Sequence, residues 1–367
     1  MRITISQPQF LKHLQMVEHV VNDRSTLPIL TNVLLQTTPE GLILTATDLD
    51  VGIQCQFPLT QPIEQGAVAL PARKLTTIIR ELPDEIVTLE AKKNHTATLQ
   101  CGQTNFRVPG LPAEDFPILP TAEPSDRIAL PQAALKTLII QTAYAMSMEE
   151  TRFVLNGALL SAQKNTLTMV ATDGRRLAVS TASLSEPAKT PLTVVIPAKT
   201  VRQLSRLLDI DSTDDVTITP LKDNQLAFQF GWVRVITRLV EGQFPAYEKV
   251  IPHPSKSVVT GNRQALMSAV RRASLMTSAT SQAVVFELGP NRLVVFKESP
   301  ELGSAREELA VSYAGEPMTV AFNPEFWLDV LKTLDMEDVS IEVGGPDRPA
   351  VIRQPALTYL VLPMKLA

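Results

Sequence analysis

The sequence repeats itself three times, at a spacing close to one third of its length. The segment 70–82 (LPARKLTTIIREL) returns as 196–208 (IPAKTVRQLSRLL) and, in a weaker form, as 323–334 (NPEFWLDVLKTL). The prolines at positions 71, 197 and 324 are separated by steps of 126 and 127 residues. Solenoid units are only roughly 20–50 residues long, so a repeat of this length predicts whole domains. Three of them fill nearly all of the 367-residue chain.

Shorter signatures recur at a similar spacing. The segment 46–48 (ATD) returns as 171–173, and Phe116-Pro117 returns as Phe244-Pro245. The third repeat has lost the ATD signature and is identified by position and pattern only. A chain of this length is too long for one ordinary core, which agrees with several domains. The predicted domains are residues 1–121, 122–253 and 254–367.

The composition is that of a globular protein. Apolar residues make up 44% of the chain and charged residues 20%, which argues against disorder. No run of 18 apolar residues occurs, so we expect no membrane span. The first residues (MRITI) lack a signal-peptide core, and the two cysteines, Cys55 and Cys101, are expected to be reduced thiols in the cytoplasm. The four histidines form no cluster at metal-ligand spacing, so we expect no metal and no cofactor.

Each repeat has the pattern of short strands interrupted by two helices. Strand-like runs such as 41–47 (GLILTAT) and 226–230 (LAFQF) are separated by Pro, Gly, Asn and Asp turns. A proline at position 71, 197 or 324 suits the first turn of a helix, where no amide hydrogen is needed. The six helices are expected at roughly 8–21, 71–82, 131–146, 197–208, 262–277 and 323–335. The predicted fold class is α+β, with three repeated domains of antiparallel sheets and two helices in each.

Charge is distributed unevenly between these helices and the rest of the chain. The six helix segments hold 12 Lys or Arg against 5 Asp or Glu, a net of +7, whereas the whole chain carries −4. At about 100° per residue, Lys199, Arg202 and Arg206 lie within about 60° of one another, opposite the apolar residues of the same helix. Any single helix could show such a face to water. Its repetition in several helices favours a negative partner, such as nucleic-acid phosphates bound by charge without base readout.

The common catalytic motifs are missing from the sequence. It contains no phosphate loop, no G-x-G-x-x-G, no H-E-x-x-H and no G-x-S-x-G. Asp173 is the most suggestive catalytic acid, but it ends a strand and precedes a glycine, which is ordinary turn chemistry. Asp48 has the same context in the first repeat, which predicts a shared structural role. A nucleic-acid enzyme with these two acids is the alternative hypothesis, and Asp173→Ala would then remove a measurable reaction.

The chain resembles the bacterial DNA sliding clamps, the beta subunits of DNA polymerase III. The resemblance runs from Met1 to Leu366 and rests on motifs that are specific in combination. These are 24–30 (RSTLPIL), 70–74 (LPARK), 115–117 (DFP), 155–157 (LNG), 171–177 (ATDGRRL), 242–245 (GQFP) and 362–366 (LPMKL).

The resemblance implies a processivity factor with no chemistry of its own. In such a family two subunits join head to tail into a ring of six domains, with helices lining a hole that encircles duplex DNA. The ring slides without reading sequence and tethers the replicative polymerase. The implied partners are double-stranded DNA, the DNA polymerase III alpha subunit, the clamp loader delta subunit and other clamp-motif proteins of replication and repair. A specialised second clamp would fit the same sequence.

Three sets of site residues follow. The DNA-binding residues are Arg24 and Arg73 by resemblance, with Lys199, Arg202, Arg206, Arg271 and Arg272 added from the helix faces. The resemblance implies a partner-peptide pocket formed by Leu155, Thr172, Gly174, Arg175, Arg176, Leu177, Pro245, Val250, Leu360, Leu362, Pro363 and Met364. It also implies a dimer interface of Lys74, Phe106, Val108, Leu275, Met276 and Glu298. The chain departs from its relatives at Glu149, Phe153 and Val154, which lie in the region assigned to single-stranded DNA.

Overall fold

Each third of the chain contains eight strands and two α-helices among the residues that the structure describes. The computed structural model describes residues 1–22, 25–59, 64–120, 127–149 and 151–365. The first repeat contains β1 Arg2–Ser6, α1 Gln7–Glu18, β2 Asn32–Thr38, β3 Gly41–Thr47, β4 Val51–Phe57, β5 Ala67–Pro71, α2 Ala72–Glu81, β6 Ile86–Ala91, β7 Thr96–Cys101 and β8 Thr104–Pro109.

The second and third repeats follow the same order of elements. The second contains β9 Ile128–Pro131, α3 Gln132–Thr142, β10 Gly157–Gln163, β11 Thr166–Thr172, β12 Arg176–Ser183, β13 Leu192–Pro197, α4 Ala198–Leu207, β14 Asp215–Leu221, β15 Gln225–Phe230 and β16 Val233–Arg238. The third contains β17 Val258–Asn262, α5 Arg263–Ser274, β18 Val284–Gly289, β19 Arg292–Ser299, β20 Gly303–Ala310, β21 Met318–Phe322, α6 Pro324–Thr333, β22 Asp338–Val343, β23 Ala350–Arg353 and β24 Leu357–Val361.

The described strands form four antiparallel sheets, and two of these sheets join neighbouring repeats. The eight-stranded sheets have the orders β5-β2-β3-β4-β16-β15-β14-β9 and β13-β10-β11-β12-β24-β23-β22-β17. The four-stranded sheets have the orders β1-β6-β7-β8 and β20-β19-β18-β21. The pairs β4–β16 and β12–β24 are therefore junctions, at which the edge strand of one repeat continues the sheet of another.

The chain folds into two compact units, and the middle repeat contributes to both. One unit is formed by residues 1–135, 184–190 and 202–239, and the other by residues 136–183, 191–201 and 240–367. Each unit contains one complete eight-stranded sheet and one four-stranded sheet. The division of the middle repeat follows from its strands, because β9 and β14–β16 belong to the first sheet and β10–β13 to the second.

The two helices of the first and third repeats are fixed to each other by their first residues. Gln7 begins α1, and its Nε2 donates to the carbonyl oxygen of Ile79 in α2 at 2.6 Å. Arg263 begins α5, and its Nη1 donates to the carbonyl oxygen of Leu331 in α6 at 2.9 Å. Each bond reaches a carbonyl in the last turn of a helix, where the regular hydrogen bonds of the helix end. The carbonyl oxygen of Ile79 also accepts a longer bond from the amide of Leu82 at 3.4 Å. The same packing is thus built with different side chains.

The six predicted helices are confirmed, with ends that differ by a few residues. The expectation that the prolines lie in the first helical turn is wrong for Pro71 and Pro197, which end strands β5 and β13 just before their helices. In the third repeat Pro324 does begin α6, and Asn323 precedes it and accepts a bond from the backbone amide of Glu325 at 2.9 Å. The helices begin at 72, 198 and 324, so the structural steps are 126 and 126 residues.

The cores lie between the sheets and the apolar faces of the helices. In α2, Leu75 and Ile79 are fully buried, and in α4 Val201 and Leu204 are fully buried. Such amphipathic helices gain most of their stability from this packing rather than from intrinsic propensity. Among the described residues, no helix is both long and apolar enough to cross a membrane.

Candidate peptide pocket and nucleic-acid surface

A mostly apolar cavity of about 210 Å³ opens beside the β12–β24 junction, within the second compact unit. Its lining residues are Leu155, Thr172, Gly174, Arg175, Arg176, Leu177, Pro245, Ala246, Tyr247, Val250, Leu360 and Leu362. Ten of these twelve are residues expected from the sequence. The structure does not bring Pro363 and Met364 into the lining, because the backbone amide of Met364 donates to Ala321 of β21 at 2.7 Å.

The floor of the pocket is part of a hydrophobic core, whereas its rim is exposed. Leu177 of β12 lies opposite Leu360 of β24, and these side chains are 2% and 3% exposed. At the rim, Val250 and Leu362 are 59% and 41% exposed. An apolar partner that covered such side chains would gain about 25 cal/mol for each Å² removed from water. The cavity can therefore bind an apolar side chain that continues the core outward.

One wall of the pocket is a tight turn at 172–176. Thr172 Oγ1 donates to the carbonyl oxygen of Arg176 at 2.6 Å and accepts from the amide of Gly174 at 3.1 Å. Asp173 Oδ1 accepts from the amides of Arg175 and Arg176 at 2.8 and 3.0 Å. Gly174 has a φ of +86°, a region that side chains disfavour. The carboxylate of Asp173 is thus engaged in hydrogen bonds to the backbone of the turn.

Arg176 connects this turn to two other segments. Its Nε donates to Asp173 Oδ2 at 3.1 Å, and its Nη1 donates to Asp329 Oδ2 at 2.8 Å in α6. Its Nη2 donates to the carbonyl oxygen of Tyr144, and its guanidinium carbon lies 4.3 Å above the ring centroid of Phe326. The side chain is only 10% exposed. The planar fork of an arginine, with its five donors, satisfies all these partners together, which a lysine cannot do.

The first repeat contains the same turn, but the space beside it is filled. Thr47 Oγ1 donates to Val51 at 3.0 Å, and Asp48 Oδ1 accepts from the same residue's amide at 2.8 Å. The predicted shared structural role of Asp48 and Asp173 is confirmed. Gly52 takes the position of Leu177, and a methyl group placed on it would lie 2.5 Å from Leu119. Leu119 therefore occupies space at the β4–β16 junction that a side chain at position 52 would need.

Sequence reasoning missed Ala246 and Tyr247 as pocket residues. Both follow directly after the recurring Phe244-Pro245, which was the available signal. Tyr247 packs against the pocket core, where burial and the neighbouring Glu248 raise the pKa of its phenol to about 12. The phenol is therefore a hydrogen-bond donor at neutral pH.

The predicted basic helix faces point to solvent. Arg73, Arg202, Arg206 and Arg271 are exposed, Lys199 is half-buried, and the opposite faces of their helices are buried. Arg24 lies outside the described residues.

Arg272 is also exposed, and it forms an ion pair with Glu307. Its guanidinium binds the carboxylate of Glu307 in β20 through two nitrogens, which lowers the pKa of Glu307 and raises that of Arg272. This ion pair reduces the charge that Arg272 can offer to a phosphate.

The predicted dimer residues lie on β8 or around β20, except Lys74, which lies on α2. Phe106 of β8 is 37% exposed and Leu275 at the end of α5 is 68% exposed. Lys74 and Glu298 are exposed, and Met276 is half-buried. Val108, in contrast, is only 3% exposed and packs within its own subunit. Its side chain therefore presents little surface to a partner.

Comparison with known proteins places the whole chain in one family. The family models of the DNA polymerase III beta subunit match residues 1–120 (N-terminal domain), 129–246 (central domain) and 248–365 (C-terminal domain). The chain is 34% identical to the beta sliding clamp of Pseudomonas putida and 32% identical to that of Chlamydia muridarum, over 100% of its own length and 100% and 99% of theirs.

Solved structures agree with these relatives. The sliding clamp of Pseudomonas aeruginosa, solved bound to griselimycin, matches with a TM-score of 0.94 at 33% identity, and that of Bacillus subtilis with 0.93 at 30% identity. Each match covers 100% of both chains. The chain belongs to the DNA polymerase III beta subunit family. Its fold is the three-domain clamp fold, and its function is that of a processivity clamp for DNA polymerase III rather than of an enzyme.

Proposed function

We propose that two copies of this chain join head to tail into a closed ring that surrounds duplex DNA and tethers partner proteins. The main observation in support of the ring is the pattern of sheet edges. Matching the repeats hairpin by hairpin makes β4, β12 and β20 equivalent, and likewise β8, β16 and β24. Two of the three possible junctions, β4–β16 and β12–β24, exist within the chain. Among the described strands, β20 and β8 are the edges that remain for the third junction.

The internal junctions also predict the register of the proposed interface. Val235 lies opposite Ile53 at the first junction, and Tyr359 lies opposite Ala178 at the second. Ile53 is equivalent to Ala178, and Val235 is equivalent to Tyr359, so both junctions use one register. Transferred to the interface, this register sets Phe106 opposite the partner subunit's Ala305. Since edge strands expose unpaired amides and carbonyls, the pairing would satisfy both edges.

Side-chain packing at the internal junction supports the interface residues. The rings of Tyr144 and Tyr359 are 5.8 Å apart, centroid to centroid. Tyr359 is equivalent to Phe106, and Tyr144, twelve residues after the start of α3, is equivalent to Leu275 after the start of α5. Phe106 would therefore pack on the partner subunit's Leu275. Lys74, Val108, Met276 and Glu298 complete the proposed interface.

The basic helix faces are the proposed DNA surface. Arg24, Arg73, Lys199, Arg202, Arg206, Arg271 and Arg272 would attract phosphates without reading bases, which permits sliding along the duplex. Charge attraction of this kind weakens steeply with added salt. The pairing of Arg272 with Glu307 supports a smaller contribution from that residue than its exposed charge alone would give.

The pocket beside β12 and β24 is the proposed docking site for partner peptides. Its apolar floor fits an apolar side chain of an extended segment, and Arg175 and the amides of the 172–176 turn lie beside it. We propose that the DNA polymerase III alpha subunit, the clamp loader delta subunit and other clamp-motif proteins of replication and repair bind there. The proposed domain bounds are 1–121, 122–253 and 254–367, and the proposed location is the cytoplasm.

One experiment tests the ring directly. The mass of the chain in solution is measured by light scattering after size-exclusion chromatography, with small-angle X-ray scattering on the same peak. A mass of twice the chain's 40.2 kDa and the scattering profile of a hollow ring are expected. A compact 40.2 kDa particle at micromolar concentration would contradict the proposal.

A further inference from the structure

Two sulfur atoms and one imidazole nitrogen lie close together in the first domain, between α1 and β4. The Sγ of Cys55 lies 3.6 Å from the Nδ1 of His13 and 3.6 Å from the Sδ of Met16. His13 and Met16 are three residues apart on α1 and so lie on one face of that helix. None of the three belongs to the pocket, to the basic helix faces or to the proposed interface.

We propose that His13, Met16 and Cys55 form a binding site for one soft monovalent metal ion, Cu(I). Thiolate and thioether sulfur select Cu(I) over hard cations such as Mg²⁺ and Ca²⁺, which prefer oxygen. Imidazole is also a good copper ligand. The set contains two sulfurs and one nitrogen, and no oxygen.

The two separations from the Sγ of Cys55 fit a three-coordinate ion. With metal–sulfur bonds of about 2.3 Å and metal–nitrogen bonds of about 2.0 Å, angles near 120° place sulfur and nitrogen about 3.7 Å apart. The same geometry places the two sulfurs about 4.0 Å apart. The observed 3.6 Å separations require movements of only a few tenths of an ångström.

The surroundings orient the three side chains and leave the site accessible to an ion from the surface. The ring of His13 stacks on Phe57 with centroids 3.8 Å apart and planes 10° apart, which fixes its orientation. Cys55 is 1% exposed, whereas His13 and Met16 are half-buried and lie between it and the surface. Binding converts the thiol of Cys55 to a thiolate, and its proton is released to solvent.

The chain provides a matched control for this proposal. Cys101 is the other free cysteine and is also buried, but its sulfur contacts the carbonyl oxygen of Pro83 at 3.9 Å rather than a histidine or methionine. The full-length protein is titrated with Cu(I) under anaerobic conditions against a chromophoric Cu(I) chelator. Wild type and Cys101→Ala are expected to bind one equivalent, and Cys55→Ala none at that site.

Two further variants separate a three-ligand site from a single thiol. His13→Phe keeps the stacking on Phe57 without the nitrogen, and Met16→Leu keeps the volume without the sulfur. Each should weaken Cu(I) binding at least about tenfold, a loss of about 1.4 kcal/mol. Because the ion would join α1 to β4, Cu(I) should also raise the thermal midpoint of wild type and of Cys101→Ala.

Two results would overturn the site. In one, the chelator keeps all the copper in the presence of folded wild type. In the other, the His13→Phe/Met16→Leu double variant binds Cu(I) as tightly as wild type, which would reduce the site to one thiol. Far-UV circular dichroism confirms that each variant is folded, so a loss of binding reports on the ligands.

Discussion

Arg176 and Asp329 form a 2.8 Å ion pair that links strand β12 in the middle repeat to helix α6 in the third. The same guanidinium binds Asp173 and the carbonyl oxygen of Tyr144, so one side chain sets the positions of three segments around the pocket. Because the side chain is 10% exposed, its partners have little water to replace it.

Replacing Arg176 should therefore damage both the pocket and the fold around it. Arg176→Ala is expected to weaken the binding of a polymerase-derived peptide at least about tenfold and to lower the free energy of unfolding by about 2 kcal/mol. Arg152→Ala is the control, since Arg152 binds the same turn through Asp173 but is 47% exposed. Fluorescence anisotropy and urea denaturation give the two quantities. Equal peptide affinity in both variants would contradict the role given to Arg176.

Gly174 should be needed for its backbone conformation rather than for space. A methyl group there would meet only Arg152 Nη1 at 3.5 Å, but the φ of +86° is unfavourable for alanine. Gly174→Ala should cost about 1 kcal/mol of stability and also weaken peptide binding. Gly231→Ala, at a hairpin turn with a φ of +48°, should cost similar stability and leave peptide affinity unchanged. A peptide affinity for Gly174→Ala equal to wild type would count against the turn as a pocket wall.

The proposed interface register can be tested with a disulfide. In that register Asn105 lies opposite the partner subunit's Arg306, as Arg234 lies opposite Gln54 and Thr358 opposite Val179. Asn105→Cys combined with Arg306→Cys should form covalent dimers under mild oxidation, because paired strands bring such residues within disulfide range. Asn105→Cys with Glu308→Cys, two residues out of register, should form far fewer. The yield of covalent dimer is measured on non-reducing gels, and equal yields from the two cysteine pairs would refute the register.

Charge reversal on the helix faces should shorten the time that the protein stays on DNA. Arg73→Glu, Arg202→Glu and Arg206→Glu together should speed its loss from circular duplex DNA at least about tenfold and reduce the salt dependence. The control makes the same change in net charge at three hairpin-turn lysines, with Lys92→Glu, Lys164→Glu and Lys222→Glu. Retention after loading is measured by gel filtration. Equal losses from both triple variants would show that net charge, not the helix face, decides retention.

Peptide affinity should change little with pH around neutrality. None of the twelve lining residues is a histidine, and the phenol of Tyr247 keeps its proton because its pKa is raised to about 12. Affinity measured between about pH 6 and pH 9 should therefore be flat. A step of more than about threefold in that range would point to a titrating group on the peptide or outside the lining.

The sequence predicted local structure and composition of the pocket better than long-range contacts. Helix positions followed from amphipathic patterns. Ten pocket residues followed from the resemblance to the family, and eight of them lie within its quoted motifs, whereas Val250 and Leu360 do not. Ala246 and Tyr247 were missed because they carry no motif of their own. The pairing of Arg272 with Glu307 was also invisible, since it joins residues 35 positions apart on different elements. Likewise, no periodicity predicts that β16 continues the sheet of β4, because that pairing depends on two edges meeting in space.

The glycine at position 52 limits the number of peptide pockets that the proposed ring would offer. Leu119 packs at Gly52, which closes off the space beside the first junction, and the second junction remains open. At the proposed third junction, Ser304 and Arg107 stand where Leu177 and Leu360 form the apolar floor. A ring of six junctions would then provide two peptide-binding sites, one on each copy of the chain. The proposed partners, which are the polymerase, the clamp loader and repair proteins, would then compete for these two sites.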